Sequence, residues 1–178
     1  MSAGGTAAGF GYSCRPEQGA LLRLLAAGVG AGTIGETGTG CGVGLAWLAS
    51  GAHPDARLVS VERDAARARV AAGVFADDPR VTVRTADWSA LHADGPFDLL
   101  VLDGGQGKGP ERPLSPEDWL RPGGLLVVDD FTPMAGRPPT HDGGPDTARL
   151  HWLDHPLLHT AELRLAPDLA TLVATFTG

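Results

Sequence analysis

Between Thr33 and Gly44 the chain reads Thr-Ile-Gly-Glu-Thr-Gly-Thr-Gly-Cys-Gly-Val-Gly, a short strand candidate that runs into glycines and then into a helix. Glycine at alternate positions lets the main chain turn sharply and approach a ligand, and the free N–H groups of the helix start favour an anionic group such as a carboxylate. Without a ligand the same pattern makes only a tight strand-to-helix turn. Glu62 closes the next strand candidate 26 positions after Glu36, which suits an acid that hydrogen-bonds both hydroxyls of a ribose. Asp87-Trp88 follows a third strand candidate, where a carboxylate can accept from an exocyclic amine and an indole can stack on a purine. Asp103 ends a fourth. Each acid alone reads equally as a solvated strand end; four of them at successive strand ends, beside a glycine-rich turn, describe one sheet edge that binds a ribosyl ligand.

The elements that must position these residues follow from periodicity and punctuation. Gln18 to Ala27 carries Leu21, Leu22, Leu24 and Leu25 at helical spacing, with Pro16-Glu17 as a first turn. Gly32 to Gly35 is the first strand, Glu36 to Gly44 a glycine loop, and Val43 to Ala49 the helix it feeds. Arg57 to Val61, Val81 to Arg84, Phe97 to Leu102 and Gly124 to Val128 read as four further strands. Asp64 to Phe75 reads as a helix, and Ser115 to Leu120 as a short one with Pro at its first position. Such alternation predicts an α/β fold with a mostly parallel sheet covered by helices on both faces. Thr160 to Leu165 and Thr171 to Phe176 alternate apolar and polar residues around Ala166 to Ala170, which predicts an antiparallel C-terminal hairpin. Thr132 to Asp146, dense in Pro and Gly, is expected to be a mobile loop over the ligand face of a single domain spanning residues 1–178.

Bulk properties narrow the partners. A net charge of -7 opposes binding that depends on neutralising phosphates, so nucleic acid is a disfavoured partner. Two cysteines, Cys14 and Cys41, have no partner at metal-ligand or redox spacing, which points to a reducing, cytoplasmic setting. The small, Gly-rich opening residues do not read as a secretory signal, and no apolar run is long enough to cross a bilayer. His151, His155 and His159 are spaced by four, but Pro156 interrupts the helix that would align them as ligands, which leaves them as polar residues of an amphipathic segment. His141, beside Asp142 in the loop 132–146, is a candidate general base.

Glu36-Thr-Gly-Thr-Gly-Cys-Gly, Glu62, Ala86-Asp87-Trp88 and the terminal hairpin together resemble class I S-adenosylmethionine-dependent methyltransferases over nearly the whole chain. More narrowly, the chain is similar to the catechol and caffeoyl-CoA O-methyltransferase branch. Pro16-Glu17-Gln18-Gly19, Phe97-Asp98-Leu99-Leu100-Val101-Leu102-Asp103 and Gly123-Gly124-Leu125-Leu126-Val127-Val128-Asp129-Asp130 carry that narrower likeness.

The resemblance implies a Rossmann-like sheet of seven strands, the last antiparallel. S-adenosyl-L-methionine would lie over the carboxyl ends of the first strands, held by Glu36, Gly38, Thr39, Gly40, Gly42, Gly44, Glu62, Arg63, Asp87, Trp88 and Asp103. It further implies a divalent cation, usually magnesium, on Asp103, Asp129 and Asp130, with Asp103 and Asp129 organising a small phenol- or catechol-type acceptor. Asp130 stands where the branch carries an amide, and Gln106 where it often carries a catalytic lysine. Lys108, two residues on, reads as a solvated loop lysine or as a displaced base. The implied reaction is O-methylation of a small molecule, with a homodimer as an open assembly state. The alternatives are a non-catalytic cofactor-binding protein of the same fold, an RNA methyltransferase, and a nicotinamide-dependent oxidoreductase.

Overall fold

The computed structural model describes residues 14–104, 106–109 and 111–178, with the main chain alone at 106. The Gly-rich opening segment therefore lies outside the described residues, as does the side chain of Gln106. The elements run α1 (Pro16–Gly28), β1 (Thr33–Thr37), α2 (Val43–Gly51), β2 (Arg57–Glu62), α3 (Ala65–Val74), β3 (Val81–Thr85), β4 (Phe97–Leu102), α4 (Pro116–Trp119), β5 (Leu120–Phe131), β6 (Thr140–His141), β7 (Gly144–Pro145), α5 (Thr147–Leu153), β8 (Leu158–Ala166) and β9 (Leu169–Phe176). A 3₁₀ turn, Trp88–Asp94, joins β3 to β4.

Seven strands form one sheet in the order β3-β2-β1-β4-β5-β9-β8. β1 to β5 are mutually parallel, and β9 runs antiparallel to both β5 and β8. The predicted α/β class and closing hairpin are both present. The apolar run of β4 is buried on both faces: Leu100 and Leu102 pack with Leu126, Val128 and Trp152, whereas Leu99 and Val101 pack with Leu22, Leu45 and Leu48. A strand covered on both sides has no polar face to alternate with, which is why its sequence is continuously apolar. Asp64 opens α3 by accepting from the N–H groups of Ala66 and Arg67, the usual way of satisfying a first helical turn.

Three elements differ from expectation. β1 continues through Glu36 and Thr37, where the sequence predicts a loop, because neighbours on both sides pair with it: Glu36 is in register with Ser60 of β2 and Val101 of β4. β5 is longer than Gly124 to Val128. Within residues 132–146, β6 and β7 form a two-stranded hairpin, and α5 follows directly. Arg149 of α5 ties this segment down, donating to the Thr132 carbonyl at 2.7 Å, to Asp146 at 2.9 Å and to Glu162 of β8 at 2.6 Å.

Candidate active site

β1 lies between β2 and β4, and the connections from its end and from β4 leave for opposite sides, so a crevice opens at the carboxyl ends of these strands. Gly38, at φ +84°, makes the crossing possible: a Cβ there would fall 2.8 Å from both the Cα and the nitrogen of Gly104, which follows β4. The glycine turn then reaches α2, whose first turn has no side-chain cap. Gly44 at its start has Glu36 directly behind it, and a Cβ at that position would lie 2.7 Å from Glu36 Oε1.

Glu36 is 1% exposed. Its carboxylate accepts from the Ser60 hydroxyl at 2.6 Å, and Ser60 in turn meets the Thr39 hydroxyl at 2.5 Å. Burial pushes its pKa up to about 7; the Ser60 bond opposes the shift, and Glu62 and Asp129 add to it. Glu62, at the end of β2, locks the glycine turn: it accepts from the N–H of Gly40 at 2.9 Å, the N–H of Asp64 at 2.8 Å and Arg67 at 3.1 Å. Asp87 caps the 3₁₀ turn through the N–H and hydroxyl of Ser89, which hold its carboxyl below the ordinary range. Trp88 is stacked on Trp119 at 5.7 Å between ring centroids and lies against Gly107.

The second half of the site is a carboxylate cluster. Successive residues of a strand point to opposite faces, yet Asp129 and Asp130 both reach Asp103: one oxygen from each of the three lies within 4.8 Å of the others. The exception comes from Asp130, whose φ of +66° coincides with a register shift between β5 and β9 after Val128. A residue in the left-handed region breaks the pleat and redirects the side chain. Asp103 is held well above the ordinary carboxyl range, first by burial and then by Asp129, Glu36 and Asp130. Asp129 rises to about 6 by burial, with its bond from the Asp130 N–H pulling the other way. Lys108 is no freely solvated loop residue: its ammonium donates to the Asp129 carbonyl at 3.1 Å and faces Asp130 at 3.5 Å. Trp152, fully buried, fixes that loop by donating to the Lys108 carbonyl at 2.9 Å. Three clustered carboxylates with one ammonium beside them are short of positive charge, and an all-oxygen donor set of this kind fits magnesium or calcium.

Both halves face one cleft of about 790 Å³. Gly38, Thr39, Gly40 and Gly44 line it at one end with Glu62 and Arg63. Asp87 and Trp88 line it beyond β3, and Asp103, Asp129 and Asp130 complete the wall. Glu36, Gly42 and Lys108 are not among the residues that line the cleft. His141 lies elsewhere, on β6, largely exposed and 3.4 Å from Asp142. His151 and His155 stack edge to face with ring centroids 5.4 Å apart, while His159 sits on β8. Sequence reasoning gave no role to Cys14, Gln18 or Leu169, which also line the cleft. Gln18 was visible in Pro-Glu-Gln-Gly, but nothing in its spacing shows that the first turn of α1 faces the ligand side.

A seven-stranded Rossmann-like sheet with a ligand cleft at its switch point defines the class. The pattern of a methyltransferase domain matches residues 36–131, more than half of the chain, and the chain belongs to that family. A provisionally named O-methyltransferase of Mycobacterium sp. (strain JLS) is 34% identical over 120 residues, 64% of this chain and 54% of that protein. The chain thus spans about half the length of the curated relatives it matches. Among solved structures, the O-methyltransferase TomG from Streptomyces achromogenes, involved in tomaymycin synthesis and in complex with SAM, superposes with a TM-score of 0.75. It is 24% identical, and the match covers 99% of this chain and 88% of that one. An O-methyltransferase from Bacillus cereus in complex with SAH gives 0.74 at 21% identity, covering 97% and 86%. At these identities the likeness speaks for the fold. No helix among the described residues is long and apolar enough to cross a membrane.

Proposed function

We propose that this chain is an S-adenosylmethionine-dependent methyltransferase that transfers the methyl group to a hydroxyl of a small phenol- or catechol-type acceptor. The observation that carries the reading is the division of one cleft into two chemically different ends: a glycine turn locked by Glu62, and the carboxylates Asp103, Asp129 and Asp130 beside Lys108. Glu62, with Arg63 at the rim, serves the ribose, the glycine turn and Glu36 the amino-acid end, and Asp87 with Trp88 the adenine. The methyl carbon forms its bond to the acceptor oxygen as its bond to sulfur breaks, so the sulfonium becomes a thioether and the hydroxyl proton passes to a base. Holding the two reactants in line accounts for most of the rate gain in such a transfer.

Asp103, Asp129 and Asp130 are the residues that would hold a divalent cation, which, when bound, lowers the pKa of the acceptor hydroxyl. Lys108, whose nitrogen reaches the Asp129 carbonyl beside the carboxylate cluster, is the candidate base ahead of the exposed His141, once its ammonium has given up a proton. A net charge of -7 favours a small acceptor over nucleic acid, and two free thiols suit a cytoplasmic setting. A homodimer is the assembly to look for by light scattering.

The deciding experiment is calorimetric titration of S-adenosylmethionine, S-adenosylhomocysteine and NADH into metal-stripped protein, repeated with magnesium and with Glu62→Ala. Both sulfur ligands should bind, and Glu62→Ala should weaken them by about tenfold or more, the worth of a charge-assisted hydrogen bond. Binding of NADH alone, or of none of the three, would refute the assignment. Binding without methyl transfer to any catechol would instead support a non-catalytic role.

A further inference from the structure

Gln18 stands in the first turn of α1 with 1% of its surface exposed. Neither its amide nitrogen nor its amide oxygen has a hydrogen-bond partner among the described residues. Native proteins rarely bury a carboxamide without pairing it, because the desolvation is uncompensated. Gln18 belongs to the wall of the ligand cleft, so a ligand entering that cleft is placed to supply the missing partner.

The surroundings specify which part of a ligand this is. A Cβ on neighbouring Gly19 would fall 2.2 Å from the indole nitrogen of Trp47 in α2, and Cys14 lies 3.9 Å from where a Cβ on Gly44 would be. Gly19 in the first turn of α1 therefore packs on Trp47 of α2, and Cys14, just before α1, reaches the start of α2, behind which the buried carboxylate of Glu36 lies. A group arriving at this end meets a helix start without a side-chain cap, which favours an anion, while the buried acid Glu36 next to Gly44 favours a cation nearby. A carboxamide offers an acceptor oxygen and two donor hydrogens on one rigid plane. That set complements an α-amino-acid zwitterion, whereas the ribose and the base fall to Glu62 and Asp87.

We propose that Gln18 binds the α-amino-acid end of the cofactor, its oxygen accepting from the ammonium and its nitrogen donating to the carboxylate. The proposal rests on reading the cleft as an S-adenosylmethionine site. Its test compares S-adenosylhomocysteine with 5′-methylthioadenosine, which keeps the nucleoside thioether but lacks the amino-acid end. Both are titrated into wild-type protein, Gln18→Leu and Gln18→Met, and the melting temperatures of the free proteins are recorded. S-adenosylhomocysteine should bind about tenfold or more weakly to both variants, with methylthioadenosine unchanged within about twofold. The free variants should melt at or above the wild-type temperature, since an apolar side chain of similar size replaces an unpaired amide. Equal losses for the two ligands, no loss for either, or a lower melting temperature in both variants would overturn the role given to Gln18. Wild-type protein that binds neither ligand would overturn the cofactor reading, and this proposal with it.

Discussion

Glu36 shows what burial does to a single residue. Its carboxyl titrates at about 7 rather than at the ordinary 4.5, so between those values the folded protein holds a proton that the unfolded chain has released. Stability from this group is complete below about pH 4.5 and is lost as the pH rises through about 7, by at most about 3 kcal/mol. Glu36→Gln keeps an acceptor for Ser60 and removes the titration. Denaturant unfolding of the ligand-free proteins should therefore show the variant gaining on wild type between pH 5 and pH 8; a stability difference that does not change with pH would exclude this account. Residue types at strand ends made most of the site readable from sequence, because an acid after an apolar run is a local signal. The convergence of Asp129 and Asp130 was not local. It depends on one left-handed residue at a register shift, and the sequence shows only two adjacent acids.

At the scale of elements, the turn after β1 is constrained by the backbone it passes. Gly30 and Gly38 both have positive φ, but only at Gly38 does a side chain meet backbone, that of Gly104. Gly30→Ala should cost little beyond the left-handed strain of about 1–2 kcal/mol. Gly38→Ala carries the same strain and must also push β1 and β4 apart at their ends, so it should melt several degrees lower than Gly30→Ala. Equal melting temperatures would mean that the crossing is looser than its geometry. Periodicity located the helices and strands well where an element is long or buried on both faces. It failed at Glu36 and Thr37, whose strand pairing comes from β2 and β4 rather than from their own propensity. It also missed α5 and the β6–β7 hairpin, which are short and take their order from partners elsewhere in the chain.

For the molecule as a whole, Arg149 is the most connected buried charge described. It is 3% exposed and joins α5, the 132–146 segment and β8 through Asp146, Thr132 and Glu162, with its guanidinium 4.8 Å from the Phe131 ring centroid. Arg149→Ala leaves the largely buried carboxylates of Asp146 and Glu162 without their shared cation and should cost about 3–5 kcal/mol in denaturant unfolding. A loss under about 1 kcal/mol would show that Asp146 and Glu162 find other partners.

Two pairings of the sheet wait on β9 alone. β8 is synthesised first, yet its partner in the sheet is β9, and β5 reaches β8 only through β9. Until β9 is in place, β8 is an alternating strand with both edges open, the kind of surface that recruits other chains. Docking of Leu169–Phe176 closes both gaps in one event, and with it Thr171 reaches the Val128 carbonyl just ahead of the acid pair. Docking of this one strand is therefore the folding step on which both edges depend for protection from aggregation.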